Sequence, residues 1–211
     1  MKEGVPLSPG KEAEDRKKEI LDVAEELFAT KGYDHTSTTD ILDRVGIARG
    51  TLYYHFKSKE EILDALIHRV IQDMVRNIHQ AVSEQRGAIP KLLSFVGAMN
   101  VDSEIGMEIT DYAHRPQNAL MHQKIRSALL SALTPIATDL IHRGMEEGCF
   151  STPYPEEASE MLLVYSSVVF DDLNEMTPDC WQKKSKGFIF NMERLLGVKQ
   201  GGLSEMAQFF N

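Results

Sequence analysis

The stretch STTDILDRVGIARGTLYYHFKSKEE, Ser37 to Glu61, constrains the fold more tightly than any other part of the chain, because it holds two helix-start signals with a helix stop between them. Ser37 and Asp40 have the spacing of a capping box, in which each residue satisfies an amide that the first helical turn leaves unpaired. A helix of Thr38 to Val45 is predicted there, and Gly46 ends it. The next helix, Arg49 to Phe56, places Leu52 and Phe56 four apart on its inner face. Arg49, Thr51, Tyr53, Tyr54 and His55 then point wholly or partly outward. Ser58 with Glu61 repeats the capping box and opens a long helix whose apolar stripe is Ile62, Leu66, Ile67, Val70, Met74, Ile78 and Val82.

Around this stretch almost nothing alternates with period two, while apolar residues at helical spacing recur throughout, which predicts an all-α protein. An earlier helix of about Glu12 to Thr30 carries Ile20, Ala24, Leu27 and Phe28 on one face and stops at Gly32. The expected organisation is a leader over 1–11, a three-helix head over 12–59 and a larger helical domain over 60–211. With 211 residues, 42% of them hydrophobic, the chain can bury a core in each part. The net charge of −9 is uneven: residues 1–59 hold ten Lys and Arg against eleven Asp and Glu, so the acidity lies mostly beyond them. Within the first part, Arg44, Arg49, Lys57 and Lys59 fall in one sixteen-residue window, leaving room for a local basic face on an acidic protein.

Two short helices joined by a tight glycine turn have the form of a helix-turn-helix, whose second helix enters the major groove of DNA. Thr51 and the tyrosine hydroxyls suit phosphate oxygens. Arg49 can reach a guanine edge or a phosphate, and tyrosine rings can touch thymine methyls. The amides opening the helix after Ser58, with Lys59 beside them, offer a further anion site. Residues 16–68 resemble the DNA-binding domain of the TetR family of transcriptional regulators. The resemblance is carried by LFATKGY at the close of the first helix, by GIARGTLYYHFKSKEEIL, and by the spacing between them. It covers a quarter of the chain. The resemblance implies DNA contacts at the matching positions Thr39, Arg49, Gly50, Thr51, Tyr53, Tyr54, His55 and Lys59. Two positions depart from the family pattern: Ala48 stands where serine commonly caps the second helix, and Leu42 where a small alanine is usual. Loss of such a cap typically costs about 1 kcal/mol.

For the remainder, helices are expected near 90–102, 104–114, 117–147, 156–176 and 180–197, with Pro90 at the first position of the earliest. The resemblance implies that the last two long helices pair with their copies in a homodimer. Met161, Val168, Phe188, Ile189, Met192, Leu195 and Leu196 are the expected interface, since the stripe from Phe188 to Leu196 would otherwise meet water. A two-fold dimer also suits two half-sites in DNA. The resemblance further implies a pocket for a small-molecule inducer inside the second domain. Met74, Met99, Met107, Tyr112, Met121 and Tyr165 are expected to line it, because soft side chains adapt to irregular apolar ligands. The terminal LSEMAQFF repeats apolar residues at 203, 206, 207 and 210, as either a docked short helix or a frayed tail would.

The expected function is therefore that of a DNA-binding regulator, a repressor on a palindromic operator released by an inducer. The alternative is a ligand-binding or interaction protein whose head does not bind DNA. An enzyme is not expected, since G-x-S-x-G, G-x-x-x-x-G-K-[ST], H-E-x-x-H and a Rossmann glycine run are all missing from the sequence. No cofactor or metal is expected: His114, His122, His142 and Cys149 lack ligand spacing, and Cys149 and Cys180 form no C-x-x-C pair. The N-terminus has no apolar segment behind its charges and no run is long enough to span a membrane. A cytoplasmic protein with no membrane partner is the expectation.

Overall fold

The computed structural model describes residues 9–99, 119–170 and 177–210, and among them all regular structure is helical. The elements are α1 (Pro9–Lys31), α2 (Thr38–Val45), α3 (Arg49–His55), α4 (Lys59–Ser83), α5 (Ala88–Ala98), α6 (Ala119–Glu146), α7 (Pro155–Val169), α8 (Pro178–Leu195) and a terminal 3-10 helix, Ser204–Phe210. The described chain divides into two compact units between Val70 and Ile71, inside α4, where the sequence places the division at 59/60. The expected helix over 104–114 lies outside the described residues, as do Met107 and Tyr112.

In the first unit the sequence signals act where they stand. Ser37 accepts from the Asp40 amide at 3.1 Å and Asp40 accepts from the Ser37 amide at 2.7 Å, which closes the capping box. Gly46 takes a left-handed φ of +74°, open to glycine at no steric cost, and its N–H returns to the Leu42 carbonyl at 2.9 Å. The second box closes differently. Ser58 accepts from the Glu61 amide at 3.1 Å, but the Glu61 carboxylate accepts from Lys57, one residue before the Ser58 amide that the motif predicts. Ile20, Ala24, Phe28, Ile41, Leu52, Phe56, Ile62 and Leu66 are buried, so the apolar faces read from the sequence become one core. Thr36, also buried, ties the end of α1 to the turn by donating to the Gly32 carbonyl at 2.8 Å.

In the second unit α6 packs against α5 and α7, and the 3-10 helix packs against α5 and α8. The helix α5 starts at Ala88, two residues before the predicted Pro90, because Glu147 accepts from the Ala88 amide at 2.7 Å and supplies a cap from a distant part of the chain. Thr177 caps α8 by accepting from the Cys180 amide at 3.3 Å. Leu203 and Met206 are fully buried, so LSEMAQFF is docked rather than frayed. The stripe expected to meet water is corrected here: Phe188, Ile189, Met192 and Leu196 lie in the unit's own core, which the 3-10 helix helps to cover.

Candidate nucleic-acid interface and internal cavity

The outer face of α3 follows from its inner one. Leu52 and Phe56 are buried at 1% and 2% exposure, which turns the rest of this seven-residue helix away from the core. Arg49, Gly50 and Tyr54 are exposed, Tyr54 at 73%, while Thr51, Tyr53 and His55 are half-buried. Thr39, on α2, is exposed as well. The cap that Ala48 cannot provide is absent, and Ala48 instead offers its carbonyl to Thr51 at 2.9 Å. Gly50 sits in open space: a methyl group added there would meet nothing within 4 Å, so packing inside the chain does not require glycine at this position.

Several of these side chains hold one another. The Arg49 guanidinium lies 5.5 Å over the Tyr53 ring. A hydrogen bond with Thr38, and then one with Arg49, draw the Tyr53 phenol below its ordinary pKa. This links the first residue of α2 to the exposed face of α3. His55 is drawn below the usual imidazole value, first by burial and then by Lys17 and Arg16, so it favours the neutral form. Its neighbour Tyr54 meets it edge to face at 5.0 Å. Lys59 donates to the Tyr33 carbonyl at 2.7 Å with its ammonium 4.1 Å over the Tyr33 ring. Arg44 is ion-paired with Glu26, which offsets part of the predicted basic window, while Lys57 donates to the Tyr53 carbonyl at 2.9 Å and keeps its charge.

Asp40 anchors the start of α2. A bond from Lys31 at 2.7 Å, followed by bonds from the Ser37 hydroxyl and amide, holds its carboxyl far below the usual carboxylate range. Because the folded form has the lower value, the stabilisation is present above the unfolded carboxyl pKa of about 3.9 and fades as pH falls below it. Asp40→Asn is therefore expected to lower the thermal stability of the head at pH 7. The gap to the parent should narrow progressively below about pH 4, as followed by circular dichroism melts across pH. A gap of constant size from pH 7 to pH 3 would rule out the carboxylate as its source.

The second unit holds a partly open cavity of about 170 Å³ lined by residues of α5, α6, α7, α8 and the 3-10 helix. Met99 is the one expected pocket residue that lines it. Tyr165 instead lines an open groove on α7 and α8 and stacks on Phe188 at 5.5 Å, and Met74 packs on the core. Met121 belongs to α6, but its side chain is not among those described. The lining that sequence reading missed is aliphatic together with five phenylalanines, Phe95, Phe170, Phe188, Phe209 and Phe210. On the outside of the same unit, Met161, Val164, Tyr165 and Val168 share one face of α7 at 36% exposure or more, with Phe190 exposed on α8. Leu195 of the expected interface is half-buried on that groove. Among the described residues no three His, Cys, Asp or Glu side chains gather as a metal site would need, and no helix is long and apolar enough to cross a membrane.

A sequence model described as bacterial regulatory proteins of the tetR family matches residues 20–66, and one described as the tetracyclin repressor-like C-terminal domain matches residues 101–186. The chain belongs to the TetR family. It is thus a DNA-binding transcriptional regulator whose helix-turn-helix head is formed by α2 and α3. This TetR-family regulator is 38% identical over 68 residues to the HTH-type transcriptional repressor KstR2 of Rhodococcus jostii, a match spanning 32% of this chain and 33% of that protein. It is 29% identical over 138 residues to the fatty acid metabolism regulator protein of Bacillus subtilis, covering 62% of this chain and 71% of the other. The crystal structure of RolR in complex with resorcinol aligns with a TM-score of 0.60 at 16% identity over 96% of both chains, a likeness of fold.

Proposed function

We propose that this regulator is a repressor, binding a palindromic operator as a homodimer and leaving it when a small, uncharged apolar effector fills the cavity of the second unit. The observation that carries the DNA reading is the exposed row along α3 and its flanks. Thr39, Arg49, Gly50, Thr51, Tyr53, Tyr54 and His55 would meet the duplex, and Lys59, held by the Tyr33 carbonyl, would meet a backbone phosphate beside them. Gly50 supports this reading, because an exposed glycine without an internal packing role allows a nucleic-acid backbone to come close to the helix start. Repression is favoured by the 38% identity of the head to the repressor KstR2.

The dimer would form through Met161, Val164, Tyr165 and Val168, with Phe190 and Leu195, since this is a contiguous apolar face that the protomer leaves uncovered. A second copy is the occupant, because half-sites on a palindrome need a two-fold. The effector reading rests on a mostly apolar, partly open cavity in the unit matched by the C-terminal family description, and on RolR, a protein of similar fold solved with the ligand resorcinol. Coupling would run through α4, which contributes Lys59–Val70 to one unit and Ile71–Ser83 to the other. The protein would act in the cytoplasm without cofactor, metal or catalysis.

Selection of bound sequences from a random duplex library, followed by a salt titration on the winner, tests the reading. A palindromic winner is expected, with log affinity falling against log salt at a slope of about −0.9 per phosphate neutralised. No enrichment over background would sink it.

A further inference from the structure

The tail and the cavity meet in a way that the family assignment does not supply. Phe209 and Phe210, the last two described residues, both line the cavity. The Phe209 ring lies so close to Gly97 of α5 that a methyl group there would fall 2.7 Å from its Cε1. The Phe210 ring sits 5.0 Å from Phe170 and 5.9 Å from Phe188, and its carbonyl accepts the Trp181 indole N–H at 2.5 Å. Leu203 and Met206, fully buried, hold the start of the segment independently of these two rings. The terminal rings therefore form a wall whose removal leaves the anchor in place.

Size and polarity of the space bounded by the described residues restrict its occupant. A cavity of about 150 Å³ lined by Leu, Ile and Phe takes one benzene ring, so 170 Å³ suits a single ring better than two fused ones. The polar side chains of the lining are Ser159 and Ser166. Ser159 donates to the Pro155 carbonyl at 2.7 Å and meets the Thr138 hydroxyl at 2.6 Å, and Ser166 donates to the Leu163 carbonyl at 2.9 Å, so both serine protons are committed and Ser166 keeps the freer acceptor oxygen. Among the described residues the lining has no cationic side chain. A carboxylate would enter without a donor, whereas a hydroxyl or amine could donate to a serine oxygen.

We propose that Phe209 and Phe210 determine which effector the cavity accepts: with both rings seated it takes a neutral single-ring molecule bearing a donor group, of which phenol is the simplest. Fused rings bind only when the terminal rings leave. This rests on the reading of the cavity as the effector site.

The test compares phenol, 1-naphthol and benzoate at pH 7 on the full-length protein, by calorimetry and by fluorescence of Trp181, the sole tryptophan. Its indole bonds to Phe210 and so reports whether the tail is seated. The parent should bind phenol at least about tenfold more tightly than either other probe, although naphthol is the more apolar, because overpacking typically costs 1–3 kcal/mol. Phe209→Ala should reverse the phenol-to-naphthol order without changing the phenol-to-benzoate order. Phe209→Leu, which removes less volume, should shift the same ratio in the same direction and serves if the alanine variant does not fold. Equal affinity for phenol and naphthol in the parent, tight benzoate binding, or a ratio unmoved by both variants overturns the proposal while leaving the effector site standing. Failure of all three probes to bind parent and variants alike at millimolar concentration overturns the effector reading of the cavity itself.

Discussion

Phe56→Ala is expected to remove about 3–5 kcal/mol from the head and to abolish operator binding at 37 °C, because a domain of this size has roughly 5–15 kcal/mol in all. Phe56 is 2% exposed, packs in the core shared with Leu52, and carries the Lys17 ammonium 5.6 Å over its ring. It also ends α3, its amide donating to the Leu52 carbonyl at 2.8 Å, a bond alanine would keep, so what Phe56→Ala removes is the floor of α3. Circular dichroism melts and operator titration check the two consequences together. Tyr54→Ala is the control, since a ring that is 73% exposed has little packing to lose and should leave the melting temperature nearly unchanged. Operator affinity within threefold of the parent in Phe56→Ala would show that α3 is held by something other than this ring.

The parts of the fold that were legible in the sequence are those set by residues close together along it. Ser37 and Asp40 are three apart and satisfy each other's backbone amides, so their meaning does not depend on the rest of the protein. The same holds for Gly32 and Gly46, whose left-handed φ ends α1 and α2. The Ser58 box was read correctly for the serine and one residue off for Glu61, because a long flexible carboxylate can choose between two adjacent amides. Glu147 capping α5 lies 59 residues from its partner, and no local rule could have paired them.

Periodicity also says which face of a helix is apolar without saying what covers it. Phe188, Ile189, Met192 and Leu196 formed a stripe that suited an interface, yet they are buried within the protomer, with Leu203 and Met206 of the tail in the same core. The residues left uncovered are on α7, where MLLVYSSVV is apolar nearly all round and offered no single face to choose. The cavity differs from the expected pocket for a related reason. Of the soft side chains Met74, Met99 and Tyr165, only Met99 lines it, while five phenylalanines do, two of them from a segment whose docking depends on distant partners. In the DNA head, the exposed positions were legible, whereas the bond between Thr38 and Tyr53 and the commitment of Lys59 to Tyr33 join residues that are far apart in sequence.

Those two internal commitments separate what Arg49→Ala and Lys59→Ala should do. Arg49 is exposed at the first residue of α3, its guanidinium 5.5 Å over the Tyr53 ring. If it reads a base edge, Arg49→Ala is expected to cost about 1–3 kcal/mol, or roughly tenfold to a hundredfold, on the preferred operator. The loss should be concentrated at one position of each half-site, and sequences changed there should bind parent and variant with nearly equal affinity. Lys59 presents a different case. Its ammonium already serves the Tyr33 carbonyl and ring, and its backbone opens α4. Lys59→Ala should weaken every sequence by about the same factor and lower the salt slope by about one, as expected of a backbone-phosphate contact. Repeating the library selection with each variant, and the salt titration on its winner, distinguishes these roles. A uniform loss with a reduced slope for Arg49→Ala would move that residue to the phosphates and leave base reading to Thr51, Tyr53 and Tyr54, whose hydroxyls and rings are then the groups to change next.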